Sequence, residues 1–145
     1  ISLPIHHRQN DLHLSRNHNL SKLLCLFQEH ISSNIEFLSL HNYNQEISTV
    51  ILRNLKDYDF ESIVKFLLRL IDPNIRIENG VKEDFPRIMQ MLGYGYEVRF
   101  HCRYPTQFKK STMNSINSPF NLPTFIAAIK WLTQVIDVDS GVMMS

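Results

Sequence analysis

From Asn19 onward, apolar residues recur at spacings of three and four. Leu20, Leu23, Leu24, Phe27 and Ile31 share one face of an amphipathic helix directed toward Phe37 and Leu38. The stretch before it, residues 1–18, is rich in His, Asn and Arg and shows little periodicity, so it is expected to be an irregular arm. After the loop His41-Asn-Tyr-Asn44, the spacing of Ile47, Val50, Ile51 and Leu55 favours a short helix over a strand. Asp57 and Asp59 are expected to N-cap the next helix, whose face carries Ile63, Phe66, Leu67, Leu70 and Ile71. Asp72-Pro73-Asn74 ends it, because proline cannot continue the hydrogen-bond ladder.

An extended stretch through Ile75 and Ile77 leads to a turn at Asn79-Gly80. Val81 to Leu92 is expected to be helical, with Phe85, Ile88, Met89 and Leu92 inward. Pro86 predicts a kink or a late start, and Gly93 a left-handed residue after the helix. Residues 95–123 are loop-rich and punctuated by Pro105, Pro119 and Pro123. The last helix is the plainest, with Phe125, Ala128, Ile129, Leu132 and Ile136 on one face. No strand pair carries a hairpin signal and no repeat is visible, so the fold class is all-α.

Composition agrees with this pattern. The chain has 145 residues, 43% hydrophobic and 20% charged, which is one domain's worth and excludes collagen-like and disordered classes. A chain of this length buries roughly two thirds of its unfolded surface and needs no staples. The longest apolar run, Phe125 to Ile129, is far short of the ~18 residues of a membrane span, so no membrane partner is expected. Ile1 begins no signal-like segment, and the chain reads as a piece of something longer. Cys25 and Cys102 suggest no disulfide framework, and reduced thiols in a nuclear or cytosolic compartment fit best.

Net charge is only +1, but its distribution is uneven. Residues 1–27 carry three bases against one acid, residues 28–97 seven against eleven, and residues 98–145 five against two. No acid lies between Glu97 and Asp137. If the two basic ends meet in space, they form a patch that attracts an acidic surface.

Catalytic and cofactor signals are weak. There is no CxxC, HExxH, GxGxxG or GxxxxGK[ST], and His6, His7, His13 and His18 lie in the arm, so neither a metal nor another cofactor is expected. Cys102 has His101, Arg99 and Arg103 nearby, and cations lower a thiol's pKa. Adjacent residues rarely form a Cys–His dyad, however, and no enzyme is expected. Glu83-Asp84 suits the first turn of a helix, a structural role. Nucleic acid is not an expected partner, since basic and aromatic residues do not interleave and the pI of about 8.0 is modest. Lys109-Lys110-Ser111-Thr112, downstream of Arg99 and Arg103, is the plausible contact for an acidic protein.

Four segments in order carry a resemblance: Phe66-Leu-Leu-Arg-Leu-Ile-Asp-Pro73, Phe85-Pro-Arg-Ile-Met-Gln-Met-Leu-Gly-Tyr94, Lys110-Ser-Thr-Met113 and Ile126-Ala-Ala-Ile-Lys-Trp-Leu132. Together they resemble the N-terminal calponin-homology domain of the Ndc-eighty (Hec) family of outer-kinetochore proteins. The resemblance implies an all-α calponin-homology domain over 19–138, an arm over 1–18, and at 139–145 the start of a linker to a coiled coil. It also implies a nuclear, centromeric location, microtubules as the binding target, and a sister subunit, Nuf-two, as heterodimer partner.

Carried over residue by residue, Lys110 matches a tubulin-contacting lysine of the family, and Lys22 another after a shift of one residue. The family's third-helix lysines align with Tyr58 and Ser62, with Arg53 and Lys56 close by as substitutes. An insertion from around Val98 to Phe108 brings in Arg103 ahead of Lys109. The expected microtubule-binding set is therefore Lys22, Arg53, Lys56, Arg103, Lys109 and Lys110. A tubulin-contacting histidine of the family is replaced by Phe120, within Ser118-Pro-Phe-Asn-Leu-Pro123. Against this reading stands a module that only docks a partner chain, through an apolar patch involving Phe120, or Tyr94 and Tyr96.

Overall fold

A computed structural model of the chain describes the backbone of residues 3–94 and 108–144, and the side chains of residues 19–94 and 108–137. The described elements are all helical: α1 (Leu3–Leu40), α2 (Thr49–Arg53), α3 (Asp57–Ile71), α4 (Val81–Met91), α5 (Lys110–Met113) and α6 (Leu122–Met144).

The first departure from expectation lies at the N-terminus. The irregular arm expected over 1–18 is helical from Leu3, and α1 continues unbroken to Leu40. Polarity does not oppose a helix, because its backbone hydrogen bonds are local. Pro4 falls in the first turn, where its missing N–H costs nothing, and no glycine or further proline follows before Leu40. The chain leaves the helix through Asn42, whose φ of 61° is the left-handed conformation that asparagine tolerates, while Tyr43 N–H donates back to the Leu38 carbonyl at 2.9 Å.

α6 packs antiparallel along the C-terminal half of α1. Asn34 Nδ2 donates to the Ile126 carbonyl at 3.1 Å, and Lys130 Nζ donates to Ser33 Oγ at 2.5 Å. α3 lies on α6 and α4 on α3. Four rings fill the centre: Phe60 of α3, Phe85 of α4, Phe125 of α6 and Phe108 ahead of α5. Their centroid separations run from 4.9 Å for Phe85–Phe108 to 6.2 Å for Phe85–Phe125. Edge-on and tilted pairs at such distances are the favoured aromatic geometries.

The last helix buries the face its spacing predicts: Phe125, Ala128, Ile129, Leu132 and Ile136. α4 likewise buries the expected Phe85, Ile88 and Met89, but α2 and α3 are rotated from expectation. In α2 the buried residue is Leu52, and Val50 is exposed. α3 buries Phe60, Ile63, Val64, Leu67 and Leu68, while Leu70 turns outward. Asp57 and Asp59 do not cap α3; they sit in its first turn, behind Lys56 at the N-cap. There they favour the positive end of the helix dipole, and Asp57 takes Lys82 Nζ at 2.9 Å, tying the starts of α3 and α4 together.

α4 begins at Val81, ahead of Pro86, so the expected late start does not occur. Its entry is fixed by Asp84, a buried carboxylate that accepts the backbone N–H groups of Glu78 at 2.6 Å and Asn79 at 3.0 Å. These bonds, led by the one from Asn79, hold its pKa below the usual carboxylate value. Gly80 and Gly93 bracket the helix with φ of 95° and 93°, a region that favours glycine.

Candidate functional site

Lys109 and Lys110 owe their exposure to what lies on either side. Phe108 is buried against Phe85, Phe125 and Tyr94, and Met113 is buried at the other end of α5. The short segment is thus pinned by an apolar residue at each end, and Lys109, Lys110 and Ser111 are held out between them.

The chain then turns through 114–121 into α6, and the turn is built around Asn121. Its Nδ2 donates to the Ser115 carbonyl at 3.0 Å and to Ser115 Oγ at 3.1 Å, and its backbone N–H donates to Ser118 Oγ at 3.2 Å. Ser115 Oγ in turn donates to the Ser111 carbonyl at 3.2 Å, which joins the turn to the lysine segment. Buried Ile116 and Leu122 anchor it from below. At its outer edge stands Phe120, 90% exposed, between Pro119 and the Asn121 hub. The hub has no signature in sequence; Ser115, Ser118 and Asn121 read there only as turn-prone residues.

The remaining expected residues lie elsewhere. Arg53, exposed at the end of α2, donates to Gln28 Oε1 of α1. Lys56 is exposed at the start of α3, and Lys22 is exposed on α1. Lys22 precedes Asn34 by twelve residues, about 18 Å of helix. Asn34 meets Ile126, one turn into α6, and α6 starts beside the Lys109–Lys110 corner. The antiparallel packing therefore places Lys22 toward the opposite end from Lys109 and Lys110. The single patch that two converging basic ends would make is not formed by these lysines. Arg103, with His101, Cys102 and Tyr96, lies outside the described residues.

Among the described residues no group of three or more His, Cys, Asp or Glu is placed to hold a metal ion, and no helix is long and apolar enough to cross a membrane. Cys25 is an exposed free thiol on α1. An open groove between α3 and residues 72–81 is lined by Glu61 and Asp72 as well as Lys65 and Arg69, so it offers no seat of one charge.

The arrangement is a helical body with an exposed lysine pair and an exposed aromatic ring on the segment that leads into α6. The model of the HEC/Ndc80p family matches residues 26–144. The chain belongs to that family, and its fold is all-α and calponin-homology-like. It is similar to a Xenopus laevis protein named kinetochore protein NDC80 homolog, 31% identical over 106 residues, or 72% of this chain and 15% of the relative. The mouse protein of the same name is 29% identical over 120 residues, covering 81% of this chain and 17% of the relative. A probable kinetochore protein ndc80 of Aspergillus fumigatus is 28% identical over 114 residues, covering 75% and 14%. The chain thus spans about a sixth of the length of these relatives.

Proposed function

We propose that this chain is the microtubule-binding head of an outer-kinetochore subunit, working at the centromere of mitotic chromosomes without catalysis, with residues 19–138 as its calponin-homology domain. The observation that supports this most is the exposed Lys109–Lys110 pair, held rigidly in a stretch without acids on a body that belongs to the HEC/Ndc80p family. A lysine pair gains Coulomb energy against an acidic polymer, and salt screens that gain over about 8–10 Å. Each exposed contact contributes about 1 kcal/mol or less, so attachment relies on many heads acting together. Arg53 and Lys56 add weaker contacts, and Lys22 belongs to a separate surface.

Co-sedimentation with microtubules at low and at physiological salt tests this reading. The chain is expected to pellet in a salt-sensitive manner, and Lys109→Glu/Lys110→Glu, with unchanged helicity, to bind about tenfold more weakly. Failure of the wild-type chain to pellet at saturating microtubule would rule out direct binding.

A second reading, docking on a sister subunit, has its own observation. Leu20, Leu23, Leu24 and Leu26 of α1 are 46–67% exposed and adjoin the core at Phe27 and Ile31. An apolar face of that kind suits an amphipathic helix of a partner chain.

A further inference from the structure

We propose that the groove between α3 and residues 72–81 is a docking site for a short extended segment of another protein. That segment alternates apolar with charged residues, and its charges run basic, acidic, acidic, basic. The proposal is independent of the microtubule reading, since it concerns other residues and another partner. The groove holds about 840 Å³, within the range of sites that take a ligand.

Its two walls differ in chemistry. On one side, Ile75 and Ile77 line the groove while Arg76 does not, the alternation of an extended stretch. This wall is fixed at both ends. Ile75 N–H donates to the Asp72 carbonyl at 3.2 Å, Arg87 Nη2 donates to the Arg76 carbonyl at 3.1 Å, and Asp84 holds the N–H groups of Glu78 and Asn79. A wall already held in place loses little freedom when a ligand arrives.

The other wall is α3, and it carries the charge. Glu61, Lys65, Arg69 and Asp72 follow one another about one turn apart, in the order acid, base, base, acid. Glu61 and Lys65 have the spacing and the order that favour a helical ion pair. Among the described residues, however, none of the four makes an ion pair. All four charges are therefore open to a partner, and their complement has acids at its centre and bases at its ends.

Spacing selects the partner's conformation. Four residues of helix rise about 6 Å, and alternate residues of an extended chain lie about 6.6 Å apart. Every second side chain of an extended segment thus meets a charge on α3, and the intervening ones meet Ile75 and Ile77. A helical ligand carries one apolar stripe and does not serve an apolar wall and a charged wall by alternation.

Three capped seven-residue peptides test this, each with a fluorescent label, by anisotropy and by NMR shift mapping on the whole chain. The first alternates lysine, aspartate, aspartate and lysine with isoleucine; the second exchanges the lysines and aspartates. The third has the composition of the first with its isoleucines at helical spacing. The first is expected to saturate and to shift resonances of residues 61–81, with the second about tenfold weaker. Lys65→Glu/Arg69→Glu, exposed positions whose melting temperature is measured alongside, is expected to weaken the first about tenfold. No binding of the first peptide at about 1 mM, or shifts lying elsewhere, overturns the site. Equal binding of the first two peptides overturns the charge complement, and tighter binding of the third overturns the extended conformation. Shifts at 61–81 that grow with the chain's own concentration, without peptide, show a second copy as occupant and overturn it as well.

Discussion

Two neighbouring stretches of α1 share one periodicity and meet opposite fates. Ile31, Asn34 and Leu38 near its C-terminal end are fully buried, whereas Leu20, Leu23 and Leu24, at the same three-and-four spacing, are more than half exposed. The difference comes from what arrives on the other side. α6 crosses at Ser33 and Asn34, and α2 approaches at Gln28. Among the described residues no element closes over Leu20 to Leu24. Amphipathic spacing thus shows which face of a helix is able to bury, and tertiary packing decides over what length it does.

The contrast can be broken most forcefully at Leu38. Leu38→Ala opens a cavity in the filled stretch and is expected to cost about 2–5 kcal/mol in urea unfolding. A cost below about 0.5 kcal/mol would mean the two stretches do not differ. At the boundary sits half-buried His30. Burial, and then Lys130 of α6, hold its pKa below the ordinary 6.5, partly offset by Glu29. The unfolded chain therefore takes up the proton first. Stability present above pH 6.5 is lost as pH falls toward the lower folded value. Melting temperature is expected to drop between about pH 7 and about pH 5, and His30→Gln to reduce that drop. The smallest effect belongs to the exposed stretch, where Leu23→Ser is expected to change stability by no more than about 0.5 kcal/mol. A larger loss in the isolated chain would show that this face is covered.

The faces of the last helix and the left-handed Gly93 were legible because each depends on residues close in sequence. The positions misjudged in α2 and α3 depend on distant ones. Leu52 rather than Val50 turns inward because α2 is oriented by its contact with α1, which includes the Arg53–Gln28 bond. Asp57 also pairs with a lysine twenty-five residues away, and local capping rules do not see that. Of the expected site, Lys109 and Lys110 were legible as a basic pair in an acid-free stretch. Their separation from Lys22 was not, since it follows from the antiparallel run of α1 on α6. Nor was the Asn121 hub, because serine and asparagine in a turn look alike whether they face solvent or bond one another.

The antiparallel pair has a mechanical consequence. α6 begins two residues after Phe120 and its backbone stays helical to Met144, so one rod joins the exposed corner to the far end of the body. A tension applied at that far end and resisted at the corner runs along the rod's own axis. The α1–α6 contact is then loaded in shear, with the Asn34–Ile126 and Lys130–Ser33 bonds strained together. The same tension applied across the rod would peel those bonds apart in sequence. The helical body is therefore expected to resist tension best along the line from the turn at Phe120 to the end of α6.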